Sequence, residues 1–247
     1  MDKTERFAEF ITSSKRICVF TGAGISCASG IPDFRSADGL YNQPSGTTYQ
    51  PEEIISHSFF YAHTAEFYDF YRKKMIFRDA KPNKAHLFFA KLQDLPDKDV
   101  SVVTQNIDGL HQKAGSKKIF ELHGSVERNY CTDCNRFYTL DDILNGGAVP
   151  KCSVCGDVIK PDVVLYEEPL DDKVVSGAID SLYNADCVIV VGTSLTVYPA
   201  ASFLRYYRGK KLVLINKQAT SYDSVADLVF NEDIISVVER LVKILGI

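Results

Sequence analysis

At 247 residues, 45% hydrophobic and 24% charged, the chain has an ordinary globular composition, which sets aside collagen-like, coiled-coil and intrinsically disordered readings. Its 28 basic and 32 acidic residues leave a net charge of −4, so no global attraction to nucleic-acid phosphates is expected. Length alone fits one large domain or two unequal ones.

In chain order, Phe7, Phe10 and Ile11 have helical spacing, so residues 4–14 are expected to form a short amphipathic helix. The apolar run 17–21 reads as a buried strand entering the turn Gly22-Ala23-Gly24. Comparable strands are expected at 100–104, 119–123, 187–192 and 211–216. Helices are expected near 58–75, from Pro82 in a first turn through His86, Phe89 and Leu92, and at the end through Ile234, Val237, Val238, Leu241 and Leu245. Continuous apolar strands separated by helices predict an α/β fold, a parallel sheet covered on both faces. Residues 31–80 and 128–157 interrupt this pattern and read as insertions into one sheet.

The first twenty residues carry charges where a signal peptide needs an apolar run, and no run approaches the ~18 residues of a membrane span. Seven cysteines are an awkward number for a secreted disulfide framework. A cytoplasmic protein is therefore expected, with no membrane partner.

Four of those cysteines form the pairs Cys131-x-x-Cys134 and Cys152-x-x-Cys155, separated by 17 residues. That spacing lets two knuckles aim four thiolates at one tetrahedral ion, so one structural zinc is expected, without an open position for catalysis. Two local disulfides, an iron–sulfur cluster and a nucleic-acid-binding zinc ribbon are the competing readings. Few basic residues lie near the pairs, so no nucleic-acid partner is expected.

The segment from Gly22 to Gly30 follows a strand and is placed to open a helix, a context that suits a dinucleotide's pyrophosphate. It fails G-x-G-x-x-G, because Cys27 stands at the third glycine position. No acidic residue follows at the end of a second strand to hold the ribose 2′-hydroxyl, so ordinary dehydrogenase geometry does not fit. The segments 104–111, 192–195 and 215–216 add polar groups at strand ends. His123, after the strand-like IFEL, is a candidate general base and reads equally as a core histidine bonded to backbone. His57, His63 and His111 lack such a context and read as structural or surface residues. Asp33-Phe34-Arg35 on its own reads as a salt-bridged loop.

The succession GAGIS (22–26), GIPDFR (30–35), KPN-x-AH (81–86), TQNIDGLH (104–111), ELHG (121–124), the two cysteine pairs, GTSL (192–195) and IN (215–216) resembles the sirtuin family along nearly the whole chain. The resemblance implies an NAD-consuming protein-lysine deacetylase. It also implies a Rossmann-like part (1–30, 81–127 and 158–247), a cofactor-loop and helical insertion (31–80) and a small zinc-binding insertion (128–157), all within one catalytic domain. NAD would then be a co-substrate, with acetyl-lysine proteins or peptides as partners. The acyl oxygen would attack C1′ of the nicotinamide ribose, nicotinamide would leave, and His123 would serve as base for the second half of the reaction. Products would be free lysine, nicotinamide and O-acyl-ADP-ribose.

By the same resemblance, Asn106, Asp108, Ile107, Ala23 and Phe34 would shape the nicotinamide pocket, with Asn106 and Asp108 counted beside His123 as catalytic. Gly22, Gly24, Ser26, Asp33, Arg35, Gln105, Gly192, Thr193, Ser194, Asn216 and Asp233 would line the rest of the cofactor site. A peptide would pair between 160–166 and 194–199, touching Val163, Val164, Leu165, Tyr166, Leu195 and Val197. Two departures stand out: Tyr166-Glu167-Glu168 replaces the Phe-Gly-Glu of many relatives, and Cys27 replaces a threonine. Neither touches the base, so activity is expected to survive.

Relatives preferring succinyl-lysine resemble one another in a Tyr-x-x-Arg pair before KPN. Here that frame from Tyr68 reaches Tyr71, with Arg72 one residue later, a rotation of about 100° around a helix. A neutral acyl group is therefore expected. An ADP-ribosyltransferase or NAD hydrolase on the same scaffold, and a non-catalytic NAD-sensing module, are the alternatives. Oligomeric state is left open by the sequence.

Overall fold

The computed structural model describes the whole chain except residues 1, 35, 37, 38 and 43–47. Arg35, assigned to the cofactor site by resemblance, lies outside the described residues. The chain begins with α1 (Lys3–Thr12), whose capping box joins Asp2 and Glu5, and β1 (Arg16–Thr21) follows. The insertion then supplies α2 (Pro51–Ile54), α3 (His57–Ala62) and α4 (Thr64–Lys74), so the helix expected near 58–75 is two helices broken at His63. Helix α5 (Lys84–Gln93) is capped by Asn83, whose side chain accepts from Ala85 N at 2.9 Å. Pro82 therefore stands ahead of the cap and not within the first turn.

Next come β2 (Asp99–Thr104), α6 (Leu110–Lys113) and β3 (Ile119–Glu121). The smaller sheet uses β4 (Gly124–Cys131), β5 (Phe137–Thr139) and, after α7 (Leu140–Asn145), β6 (Ile159–Val163). The chain closes with α8 (Asp172–Tyr183), β7 (Cys187–Val191), β8 (Leu212–Ile215), β9 (Leu228–Phe230) and α9 (Ile234–Leu245).

The larger sheet has six parallel strands in the order β3-β2-β1-β7-β8-β9. Counting only its own strands in chain order, this is the 3-2-1-4-5-6 arrangement of dinucleotide-binding sheets, with its switch point between β1 and β7. Register is set by burial on both faces: Val19 lies between Val102 and Ile189. One face packs Phe7, Phe89 and Leu241 of α1, α5 and α9 against those strands. The other packs Phe20, Val190 and Leu214 against Ala178 and Leu182 of α8.

The second sheet is antiparallel, in the order β5-β4-β6. Its apolar side shares one core with the helical insertion: Phe60, Phe67, Tyr68 and Tyr71 pack with Val126, Tyr138, Ile143 and Ile159. Tyr68 also donates its hydroxyl proton to the Ile159 carbonyl. Two segments more than fifty residues apart in sequence thus bury their apolar faces against each other.

Candidate active site

Parallel strands all end on the same edge, and here four ends converge. Thr21, Thr104, Val191 and Ile215 each finish a strand, and Gly22, Gln105, Gly192 and Asn216 follow. At the switch point the backbones nearly touch. Gly22 N donates to Val191 O at 3.0 Å, and Gly24 N to Gly192 O at 2.8 Å. A Cβ on Gly24 would lie 2.7 Å from Gly192 Cα, and one on Gly192, whose φ is +61°, would lie 2.4 Å from Ile25 N. A side chain there meets both backbone clash and left-handed strain. We expect Gly192→Ala to cost about 2–4 kcal/mol, a fall of about 5–15 °C in the melting midpoint measured by calorimetry. The turn does not open an α-helix; it forms two 3-10 turns, Ala23–Ile25 and Cys27–Ser29.

Above this contact lies a cavity of about 930 Å³. Of the residues assigned to a site from the sequence, all the described ones outside the cysteine set line it except Leu195. Leu195 is buried in the core beside Leu204 and Leu214. Val163, Val164, Leu165 and Tyr166 form one wall, and Val197 lies on the 194–199 segment.

Polar side chains on the floor are tied into one network. Asn106 Nδ2 donates to Gly22 O at 3.2 Å and to Ser26 Oγ at 3.1 Å. Ser26 Oγ donates to Asp108 Oδ2 at 2.6 Å, and Asp108 Oδ1 accepts from Leu110 N at 2.9 Å. Gln105 Nε2 donates to Thr193 Oγ1 at 3.2 Å, crossing from the β2 edge to the β7 edge. Asp233 caps α9 and pairs with Lys217 at 2.9 Å on the far side.

His123 stands 2.9 Å from the Gln105 carbonyl through Nδ1. A carbonyl only accepts, so Nδ1 carries the proton and Nε2 keeps its lone pair. Burial disfavours the imidazolium and holds the pKa below the ordinary 6.5, partly offset by that hydrogen bond. His123 is therefore a neutral imidazole with a basic nitrogen at a cavity wall. The alternative of a core histidine bonded to backbone accounts for Nδ1 but not for its place on the cavity.

Sequence reasoning passed over several contributors. Asn83, within the quoted KPN motif, donates from Nδ2 to Ile25 O at 2.8 Å and to Ser29 Oγ at 2.9 Å, pinning the glycine turn to α5. His57 Nδ1 lies 2.9 Å from Glu168 Oε1, so this surface histidine has a partner in the Tyr166-Glu167-Glu168 segment. Glu167, at φ +75°, accepts from Ser58 N at 2.9 Å.

In the smaller sheet the four thiols meet. Cys131 and Cys155 sulfurs lie 3.3 Å apart, Cys134 and Cys152 3.6 Å, Cys134 and Cys155 3.6 Å, and all four fall within 4.8 Å of one another. A Zn–S bond of about 2.3 Å gives a tetrahedral edge of about 3.8 Å, so the set fits one such ion. All are free thiols, and the contacts run across the two pairs, unlike two local disulfides. Tyr138 donates its hydroxyl proton to Cys152 Sγ at 3.1 Å, orienting a ligand from the layer behind it.

A 3-2-1-4-5-6 sheet with a polar cavity at its switch point, beside a four-cysteine module, defines a dinucleotide-binding α/β protein with one structural metal site. Residues 22–199 match the Sir2 family. The NAD-dependent protein deacetylase of Clostridium perfringens is 55% identical over 242 residues, covering 98% of this chain and 99% of that protein. The protein of the same name from Clostridium tetani is 54% identical over 247 residues, covering 100% of both. A solved Sir2 structure with a p53 peptide and NAD+ superimposes with a TM-score of 0.86 at 39% identity, covering 100% of this chain and 99% of that one. Another, a histidine variant of Sir2 with deacetylated p53 peptide and 3′-O-acetyl ADP ribose, gives 0.90 at 39% identity and full coverage of both chains. The chain belongs to the Sir2 family, the sirtuins.

Proposed function

We propose that this protein is an NAD-dependent protein-lysine deacetylase, which passes the acyl group from lysine to ADP-ribose and releases nicotinamide. The observation that carries the reading is the neutral His123 on the wall of a cavity whose floor holds Asn106, Ser26 and Asp108 in one hydrogen-bonded set. Asn106 and Asp108, with Ile107, Ala23 and Phe34, hold the nicotinamide end of NAD. Gly22, Gly24, Ser26, Asp33, Gln105, Gly192, Thr193, Ser194, Asn216 and Asp233 hold riboses and phosphates. The cavity excludes bulk water until nicotinamide has left, and His123 Nε2 then takes the ribose hydroxyl proton. Cys131, Cys134, Cys152 and Cys155 hold one zinc ion, which supplies structure and no open coordination position.

The acyl-lysine peptide enters along Val163, Val164, Leu165 and Tyr166, facing Val197. Residues 31–80 act as the cofactor covering and 128–157 as the metal-bearing insertion of one catalytic domain. No helix among the described residues is long and apolar enough to cross a membrane. Thiols held free for a metal suit a reducing cytoplasm.

One experiment tests the activity: NAD and an acetyl-lysine peptide are incubated with the protein, and nicotinamide, deacetylated peptide and acetyl-ADP-ribose are followed by mass. Equal amounts of the three are expected. Nicotinamide formed without peptide would point to NAD hydrolysis or ADP-ribosyl transfer, and no turnover to a non-catalytic NAD-sensing module.

The acyl choice follows from α4. Arg72 Nη2 donates to Ile143 O at 2.8 Å, Nη1 to Ala148 O at 3.3 Å, and the guanidinium lies over the Tyr68 ring. Its charge is spent on the smaller module, away from the cavity. An acetyl-lysine peptide is expected to turn over faster than its succinyl counterpart, and the reverse order of kcat/KM would refute this. Lys74 does line the cavity, so Lys74→Met with both peptides separates its contribution.

A further inference from the structure

The two carboxylates that follow Tyr166 differ in what holds them. Glu168 is satisfied within the fold. Its Oε2 accepts from Leu165 N at 2.9 Å and pairs with Lys160 Nζ at 3.0 Å, its Oε1 lies 2.9 Å from His57 Nδ1, and its side chain is 16% exposed. Glu167 is exposed and lines the cavity. Its Oε2 accepts from Ser58 N at 2.9 Å and its Oε1 from Ser58 Oγ at 3.0 Å. Both donors are neutral, and among the described residues no lysine, arginine or histidine pairs with it.

Glu167 also holds φ +75°, a left-handed conformation that favours glycine. A charged side chain is thus carried against the backbone's preference and fixed in place by two hydrogen bonds. The residue before it is anchored as well: Tyr166 N donates to Ile55 O at 3.0 Å, and its carbonyl accepts from His57 N at 2.9 Å. Along the two segments that would flank a peptide, 163–168 and 194–199, Glu167 and Glu168 are the only charged residues. With Glu168 paired to Lys160, one negative charge is left facing the peptide. Val164 N donates to His123 O at 3.0 Å, so this wall starts beside the base and Glu167 stands three residues further along. At about 3.3 Å per extended residue that is up to about 10 Å, which places Glu167 with the residues flanking an acyl-lysine.

We propose that Glu167 is a specificity-determining residue, which selects acyl-lysine peptides carrying an arginine or lysine within three residues of the acylated position. This rests on the deacetylase reading for the peptide itself. Ser58 occupies two of the roughly four acceptor sites of the carboxylate, so both oxygens can still accept from a cation. A carboxylate already oriented loses little side-chain freedom on pairing, and a guanidinium can meet both oxygens at once. Backbone pairing along Val163–Tyr166 does not read side chains, and the Glu167 charge supplies a preference that such pairing lacks. A peptide glutamate or aspartate at the same place meets like charge and is disfavoured.

The test scans a neutral acetyl-lysine peptide with a single arginine, and separately a single glutamate, at each of three positions on either side of the acetyl-lysine. Binding is read as Kd by fluorescence anisotropy, and turnover as kcat and KM by product mass. At the position that meets Glu167, arginine should tighten binding about twofold to fivefold over the neutral peptide, the range of a partly exposed ion pair, and glutamate should weaken it by a similar factor. The effect should lie in Kd and KM and not in kcat, and it should shrink at about 0.5 M salt. Glu167→Gln keeps the shape and removes the charge, and Glu167→Gly also relieves the left-handed strain. Each should bring the arginine-to-neutral ratio to about one. That ratio is internal to each variant, so a change in stability or overall affinity does not imitate its loss, and a purely structural role for Glu167 leaves it at the wild-type value. An arginine preference that survives in either variant, or a wild type that binds all the peptides alike, overturns the proposal. A Glu167-dependent preference without deacetylation of any peptide overturns the deacetylase reading instead, and no binding of any peptide overturns both.

Discussion

His123→Ala is expected to slow deacetylation by about two to four orders of magnitude, the usual worth of a positioned general base. The side chain makes one hydrogen bond, to the Gln105 carbonyl, and lies on the cavity wall, so the fold should persist. Thermal melting checks that, and product mass checks the loss. In the proposed sequence nicotinamide leaves before the base acts. Exchange of labelled nicotinamide into NAD should therefore fall less than release of deacetylated peptide. A pH profile gives the sign independently. A base works unprotonated, and burial holds the His123 pKa below 6.5. The histidine-dependent rate should thus be level above pH 6.5 and fall only as pH drops through the lowered pKa. A variant that keeps full activity removes His123 from the role, and an acid limb centred above 6.5 removes the buried-neutral account of it.

What the sequence made legible follows from the kind of signal each feature leaves. Strands β1, β2, β7 and β8 are covered on both faces, so they are continuous apolar runs that stand out. Strand β9 is only Leu228–Phe230 at a sheet edge, too short to separate from a loop. The smaller sheet is harder still. Pro161 sits inside β6, which argues against a strand until the order β5-β4-β6 shows it to be an edge. Cysteine spacing is local and survives translation into structure. Contacts between distant residues do not: nothing in the sequence joins Asn83 to Ile25, or Tyr41 to Tyr166. The glycine turn was legible as a close approach, but its partner Gly192 lies 168 residues beyond Gly24. The aromatic run in α3 and α4 likewise announces a buried face without saying that the smaller sheet covers it.

That shared core makes metal removal the second large expectation. Cys131 and Cys152 are themselves members of it, packed with Tyr138, Ile143 and Ile159 against Phe67, Tyr68 and Tyr71. Four thiolates left without an ion repel one another, and the two knuckles lose their common anchor. Binding of a structural zinc is worth about 10–16 kcal/mol in isolated finger peptides. Loss of even about 4 kcal/mol of that in a chain this size lowers the melting midpoint by about 8–16 °C. Dialysis against a strong chelator should therefore produce such a fall, with one zinc per chain released and measured by atomic absorption. Activity should fall with it, because α4 is tied to the module through Tyr68 on Ile159 O and Arg72 on Ile143 O, and Lys74 at its end lines the cavity. Cys152→Ser, which removes a buried ligand and the acceptor of the Tyr138 hydroxyl, should reproduce both effects, whereas zinc added back to the chelated wild type should reverse them. An unchanged midpoint after complete zinc removal would show that packing alone holds the smaller sheet. In that case the cysteines would owe their geometry to the fold around them, and the loss of activity would not follow.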